Sequence, residues 1–314
     1  MSSDRTTAAV PYDEFAYFQD NASEFGIPYD GPPTVRRTSV TVRDGRSISA
    51  LVWGDAAPEL VLIHGGAQNA HTRDTVALAL GRPLVAVDLP GHGHSDAPAV
   101  TSRVGRAESM AQDVAEVIRA LAPDAAAVVG MSLGGITSMA LTAVAPDLVR
   151  SLVLVDITPG ITGDKAKAIT DFVRGPATFP SFEDLLARTI EHNPTRTESS
   201  LRRGILHNAV QVDDGSWMWR YRRHQDAPLV EDEDVDEAEQ AAASAALWDV
   251  LGAVAVPVML VRGMRPQSVV DDADEAELRR RLPDARVEHV AEAGHSVQGD
   301  TPVELAALIA DFLD

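Results

Sequence analysis

Five short runs in this 314-residue chain are apolar at nearly every position: "LVLI" (60–63), "LVAV" (84–87), "AVVGM" (127–131), "LVLV" (152–155) and "VMLV" (258–261). A strand with one face in water alternates apolar and polar residues. A strand that does not alternate has to be covered on both faces, as in a parallel sheet between layers of helices. Each run ends in turn residues ("HGG", "DLPGHG", "SLGG", "DITPG", "RGM"), at the strand end where open α/β sheets place their ligands. Between the runs, Met110, Val114, Val117, Ile118 and Leu121 recur at helical spacing, as do Leu305, Leu308, Ile309 and Phe312. Thr301-Pro302-Val303-Glu304 predicts a capping box with proline at the first helical position. Ahead of the first run, "TSVTV" (38–42) and "SISALVW" (47–53) flank Asp44-Gly45, a hairpin-turn pair. The fold class is α/β, a mostly parallel twisted sheet flanked by helices.

One interval is too long for a simple crossover. Residues 157–246 carry their own helical pattern, "FEDLLARTIEH", and an aromatic cluster, "WMWRY" (217–221). They are expected to form an inserted lid, with residues 35–156 and 247–314 as the core and residues 1–34 as an N-terminal extension. Trp217, Trp219 and Tyr221 alternate as on one face of a strand. They are candidate substrate-binding residues if they wall a pocket, and packing residues if they hold the lid to the body. The acidic run "EDEDVDEAEQ" (231–240) reads as a solvated helix face.

Composition removes several function classes. With 47 acidic against 27 basic residues the formal charge is -20, a surface that repels nucleic acid and anionic lipid. No cysteine is present, which excludes a thiolate nucleophile, a disulfide frame and a thiolate metal site. No apolar run approaches the ~20 residues of a membrane span, and the start lacks the basic-then-apolar order of a signal peptide. The expected location is the cytoplasm and the expected partner a small molecule; oligomeric state is not legible.

The chemistry concentrates in Gly130-Met131-Ser132-Leu133-Gly134-Gly135. The match to G-x-S-x-G sits between a buried strand and a helix, the context in which a sharp turn lifts a nucleophilic serine out of the fold. A serine hydroxyl needs a base. His295, in a glycine-bounded loop between the last strand, "ARVEHV" (285–290), and the terminal helix, is placed to hang over the same sheet edge. The base needs an acid. Asp156 at the end of "LVLV" is favoured; Asp271 and Asp272 after the next strand are the alternatives. His64, His92, His94 and Asp88 lie in turns and read as structural, so no metal and no cofactor is expected.

Taken together, "LIHGG", "DLPGHGHSD", "GMSLGG" and "AGHSVQGDTP" resemble, in order, the motifs of α/β-hydrolase-fold serine hydrolases over roughly residues 36–314. Many members carry the acid in a G-x-x-D turn, where this chain has Gly263-Met264-Arg265-Pro266. The departure is similar to small esterases that take the acid from the preceding strand and use a nearby serine as an auxiliary. By that resemblance Asp156 is the acid and Ser268 the auxiliary. The resemblance also implies an oxyanion hole from the backbone N–H groups of Leu133 and Gly66, with Ala67 the alternative to Gly66. The implied reaction is hydrolysis of an ester, lactone or thioester through an acyl-enzyme. A carbon–carbon bond hydrolase, or an acyltransferase or cyclase, would use the same residues. A non-catalytic ligand-binding protein on this scaffold is the alternative from another class.

Overall fold

A computed structural model describes residues 12–99, 105–222 and 237–314. Its main sheet has eight strands: β1 (Val35–Thr41), β2 (Ser47–Trp53), β3 (Leu60–Ile63), β4 (Leu84–Val87), β5 (Ala127–Met131), β6 (Leu152–Val155), β10 (Val258–Gly263) and β11 (Arg286–Val290). Their order is β1-β2-β4-β3-β5-β6-β10-β11. The first two pairings are antiparallel and the other five parallel. The Asp44-Gly45 hairpin joins β1 to β2 as expected, with Gly45 at φ 87°.

The continuous apolar runs divide residue by residue between two cores. Val61, Ile63, Val85, Val87, Leu152, Leu154 and Leu260 point to one face, under α3 (Arg106–Leu121), α4 (Leu133–Val144) and α8 (Glu237–Gly252). Leu60, Leu62, Leu84, Ala86, Val153, Val155 and Met259 point to the other, against α1 (Phe18–Glu24), α2 (Asp74–Leu80) and α11 (Pro302–Leu313). This is the period-2 geometry of a strand with no wet side. The chain leaves β3 toward β4 and later returns to place β5 on the other flank of β3, so a crevice opens at the carboxyl ends of β3 and β5.

The inserted segment has a small core of its own. Strands β7 (Thr178–Phe179), β8 (Ala209–Gln211) and β9 (Trp217–Trp219) form an antiparallel sheet in the order β7-β9-β8. It packs with α6 (Phe182–His192) and α7 (Glu198–Asn208) through Phe179, Leu185, Leu201, Ile205 and Trp219. A short α5 (Lys167–Val173) precedes it. The expected end of the insertion at residue 246 falls inside α8, which is continuous and already buries Trp248 and Leu251 in the body's core. Of the acidic run, residues 231–236 lie outside the described residues. Residues 12–34 are docked on the body: Phe18 is buried with its ring centroid 5.0 Å from that of Trp53.

The capping box expected at Thr301 does not form. A four-residue helix, α10 (Val297–Asp300), runs directly into α11, and the Thr301 N–H closes it by donating to Val297 O at 2.9 Å. Thr301 therefore has φ −137° and ψ 60°, without the extended backbone a capping side chain requires, while Pro302 does occupy the first helical position. Among the described residues no helix is long and apolar enough to cross a membrane.

Candidate active site

Three non-glycine residues among those described have positive φ: Ala67 at 58°, Ser132 at 51° and Asp156 at 47°. They follow β3, β5 and β6, so the backbone strain is gathered along one sheet edge. Each such conformation costs on the order of 1–3 kcal/mol and persists only where its surroundings impose it. Around Ser132 the glycines make that possible. A Cβ on Gly134 would lie 2.5 Å from the carbonyl oxygens of both Ile63 and His64, and one on Gly135 would collide with Ile157. Any larger residue would push α4 off β3 and carry Ser132 away from the edge.

Asp156 is fully buried, and its carboxylate is saturated with donors. Oδ1 accepts from the Gly263 N–H at 2.9 Å and from Ser268 Oγ at 2.6 Å; Oδ2 accepts from the Val269 N–H at 3.1 Å. His295 Nδ1 lies 2.9 Å from Oδ2. An ionised carboxylate is acceptor-only, so Nδ1 carries the proton and the lone pair lies on Nε2. That Nε2 is buried with no hydrogen-bond partner among the described residues. His295 and Ser132 line one cavity of about 190 Å³, floored by Gly65, Gly66 and Met131 and roofed by Ile169, Phe172 and Val173 from the inserted segment.

The other candidate acids are engaged elsewhere. Asp271 is the N-cap of α9 (Asp272–Arg281), where it accepts from the Asp274 N–H at 2.9 Å and pairs with Lys165 at 2.8 Å. Lys165 holds its carboxyl below the ordinary value. Asp272 pairs with Arg262 at 2.8 Å while almost fully exposed.

The Leu133 N–H opens α4, where no intrahelical acceptor exists. Gly66 is its neighbour: a Cβ there would meet Leu133 Cβ and Cδ2 at 4.0 Å. The Ala67 N–H instead donates to His92 Nε2 at 3.1 Å, which removes the alternative donor. The sequence gives no hint of this contact, because it spans 25 residues. The Ala67 carbonyl accepts from Asn208 Nδ2 at 2.6 Å, so the last residue of α7 grips the same loop. Asn208 had no signal in the sequence beyond its position at a helix end.

His64 and His92 are built into the turns. His64 Nδ1 faces Gly65 O at 2.7 Å while Nε2 accepts from the Leu89 N–H at 2.9 Å, and burial pushes its pKa down to about 3. His92 Nδ1 faces Pro90 O at 3.1 Å, and burial lowers its pKa to about 4. His94 donates its N–H to Asp88, and the buried Asp88 carboxylate also accepts from Arg37 and the Ala70 N–H at 2.7 Å each.

Trp217, Trp219 and Tyr221 are not among the residues lining the cavity. All three are buried in the core of the inserted segment, with Phe179, Leu185, Leu186, Leu201 and Ile205. Trp219 backs the cavity one layer away, its ring 5.8 Å from that of Phe172. Tyr221 reaches the body, its ring stacked on His92 at 6.4 Å.

A family model for the alpha/beta hydrolase fold matches residues 58–302. The chain belongs to the α/β-hydrolase fold family. Within it, the chain is 43% identical to the esterase Rv0045c of Mycobacterium tuberculosis over 310 residues, 96% of each chain. A structure of that esterase, concerned with its transition metal inhibition, superposes with a TM-score of 0.79 at 42% identity and covers 97% of this hydrolase and 100% of its own chain. A second relative, the 2-(acetamidomethylene)succinate hydrolase of Mesorhizobium japonicum, is 29% identical over 82% of this chain and 89% of its own.

Proposed function

We propose that this hydrolase is a serine esterase that cleaves a small carboxylic ester through an acyl-enzyme on Ser132. The observation that carries the reading is His295: one ring nitrogen is held by Asp156, the other is buried without a partner among the described residues, and the residue lines the cavity that Ser132 shares. Ser132 Oγ attacks the ester carbonyl as its proton passes to His295 Nε2. The oxyanion lies against the N–H groups of Leu133 and Gly66. His295 gives the proton to the leaving alkoxide, then takes one from water, whose oxygen attacks the acyl carbonyl; the C–Oγ bond breaks, the proton passes from His295 to Ser132 Oγ and the carboxylic acid leaves. Asp156 holds the imidazole in the required tautomer throughout, and Ser268 and two backbone N–H groups hold Asp156.

The substrate follows from the cavity. At about 190 Å³ it is smaller than the sites of drug-sized ligands, and the apolar side chains of Ile169, Phe172 and Val173 suit a short acyl group. Likeness to an esterase along 96% of both chains favours ester cleavage over a carbon–carbon bond or acyl transfer to a second substrate. The same likeness extends to this chain an expectation of inhibition by transition metals. The test is release of p-nitrophenol from an acyl series in wild type and Ser132→Ala. Hydrolysis peaking at short chains and lost in the variant supports the reading. Substantial turnover in a folded Ser132→Ala protein contradicts it.

A further inference from the structure

Two side-chain amides that line the cavity are each held by one end, which fixes what the other end can offer. Gln68, in the loop after β3, accepts from the Gly65 N–H through Oε1 at 3.0 Å, while its own backbone N–H donates to Gly65 O at 3.3 Å. Oxygen is the end of a carboxamide that accepts, so the other end, Nε2, carries two N–H donors. Asn193, at the C-cap of α6, is held the opposite way. Its Nδ2 donates to Thr189 O at 2.9 Å, and the remaining atom, Oδ1, is an acceptor. Neither Gln68 Nε2 nor Asn193 Oδ1 has a protein partner among the described residues, and neither is sealed off as His295 Nε2 is.

Gln68 is close to the reacting centre. A Cβ placed on Gly65 would lie 3.2 Å from Ser132 Cβ and 3.3 Å from Gln68 Oε1, so one methyl group would span the gap between the carboxamide and the side chain of the nucleophile. Gln68 belongs to the body and Asn193 to the inserted segment, so the two parts of the molecule bring one oriented donor and one oriented acceptor to the same cavity.

The cavity is divided chemically. Ile169, Phe172 and Val173 suit the acyl group, which leaves the two amides to the alcohol portion of the ester. In the free enzyme, water serves both amide ends. A bound ester displaces that water. A hydrocarbon alcohol would cover a donor and an acceptor and pair neither, which is costly. A hydroxyl group both accepts and donates, and so satisfies the two together. A site built to hydrogen-bond a substrate hydroxyl rejects the analogue lacking it far more strongly than an apolar pocket rejects a missing methylene.

We propose that Gln68 and Asn193 select monoesters of a diol or polyol, whose alcohol carries a free hydroxyl near the scissile bond. Gln68 Nε2 donates to the oxygen of that hydroxyl and Asn193 Oδ1 accepts its proton. The hydroxyl takes no part in bond breaking and leaves with the alcohol. The inference rests on Ser132 being an esterase nucleophile and adds the alcohol to that reading.

The test compares kcat/KM for ethylene glycol monobutyrate and n-propyl butyrate, which differ by a hydroxyl in place of a methyl, with acid release followed in a pH-stat. The wild type is expected to favour the glycol ester by about tenfold or more beyond its lead in alkaline hydrolysis. Gln68→Met keeps the chain length and removes the donor; Asn193→Ala removes the acceptor. Each is expected to reduce the preference by roughly fivefold or more. Damage to the turn shared by Gly65 and Gln68 would slow both esters together and leave the ratio unmoved. A wild-type preference no greater than that of hydroxide overturns the proposal without any variant being needed. A preference that survives in either variant, while that variant remains active, overturns it as well. Ser132-dependent hydrolysis of both esters without preference defeats this inference alone, whereas hydrolysis of neither defeats the esterase reading and this inference with it.

Discussion

Asp156 is where the residue-scale account is most exposed to test, because its carboxylate meets four donors at once. Asp156→Asn replaces an acceptor facing His295 with a group that also presents N–H, favouring the wrong imidazole tautomer. On our reading kcat falls by a factor on the order of 10³–10⁴ in steady-state assays. Asp271→Asn leaves kcat within about twofold and lowers stability by no more than ~1 kcal/mol, since asparagine also caps helices. Equal losses in the two variants would remove the distinction between them. Ser132 and His295 were legible as candidates because turn chemistry is local: a serine between small residues and a histidine between glycines announce themselves within a few positions. The capping role of Asp271 was equally local, in Asp271-x-x-Asp274, but an aspartate after a strand end fits a cap and a catalytic acid alike. The capture of the Ala67 N–H by His92 was not legible, since nothing at either position specifies a partner 25 residues away.

Among the elements, β3, β5 and β6 set the site by ending together, and α7 reaches across to hold the loop after β3. Asn208 is one contact through which the inserted segment bears on that loop. Asn208→Ala leaves the Ala67 carbonyl without this donor and lets the Gly66 N–H drift. We expect kcat for a p-nitrophenyl ester to fall about tenfold with KM changed much less, since an oxyanion donor acts mainly in the transition state. A change confined to KM would instead make Asn208 a substrate contact. The main strands were readable because a run apolar on every residue has few alternatives to a doubly covered sheet. The edges of the insertion were not, because the alanine-rich first half of α8 and its body-packed second half form one helix with no break in pattern. The alternation of Trp217 and Trp219 specified a shared face but not what that face covers, which proved to be the segment's own core.

At the scale of the whole molecule, the buried histidines tie stability to pH. His64, at about 3, and His92, at about 4, both lie below the 6.5 of a free imidazole. The unfolded chain binds protons that these rings refuse in the native state. Their contribution is therefore complete above about pH 6.5 and is lost as pH falls from there toward 4 and then 3. Urea midpoints are expected to be lower at pH 5 than at pH 7; identical midpoints would mean that the two rings are not held neutral. The N-terminal segment adds a second molecule-wide link, joining the body through Glu14 and Arg37 and the inserted segment through Tyr12–His207, Asn21–Arg203 and Glu24–Arg203. It was read from sequence as an extension because polar residues that bridge two units carry no periodicity. The central claim remains that one serine in this molecule is activated. Intact-mass analysis after incubation with a fluorophosphonate tests it most directly. The account predicts a single adduct, mapped to the peptide containing Ser132 and absent in Ser132→Ala. A folded, hydrolytically active protein that takes no adduct, or one that Ser132→Ala takes equally well, would contradict it.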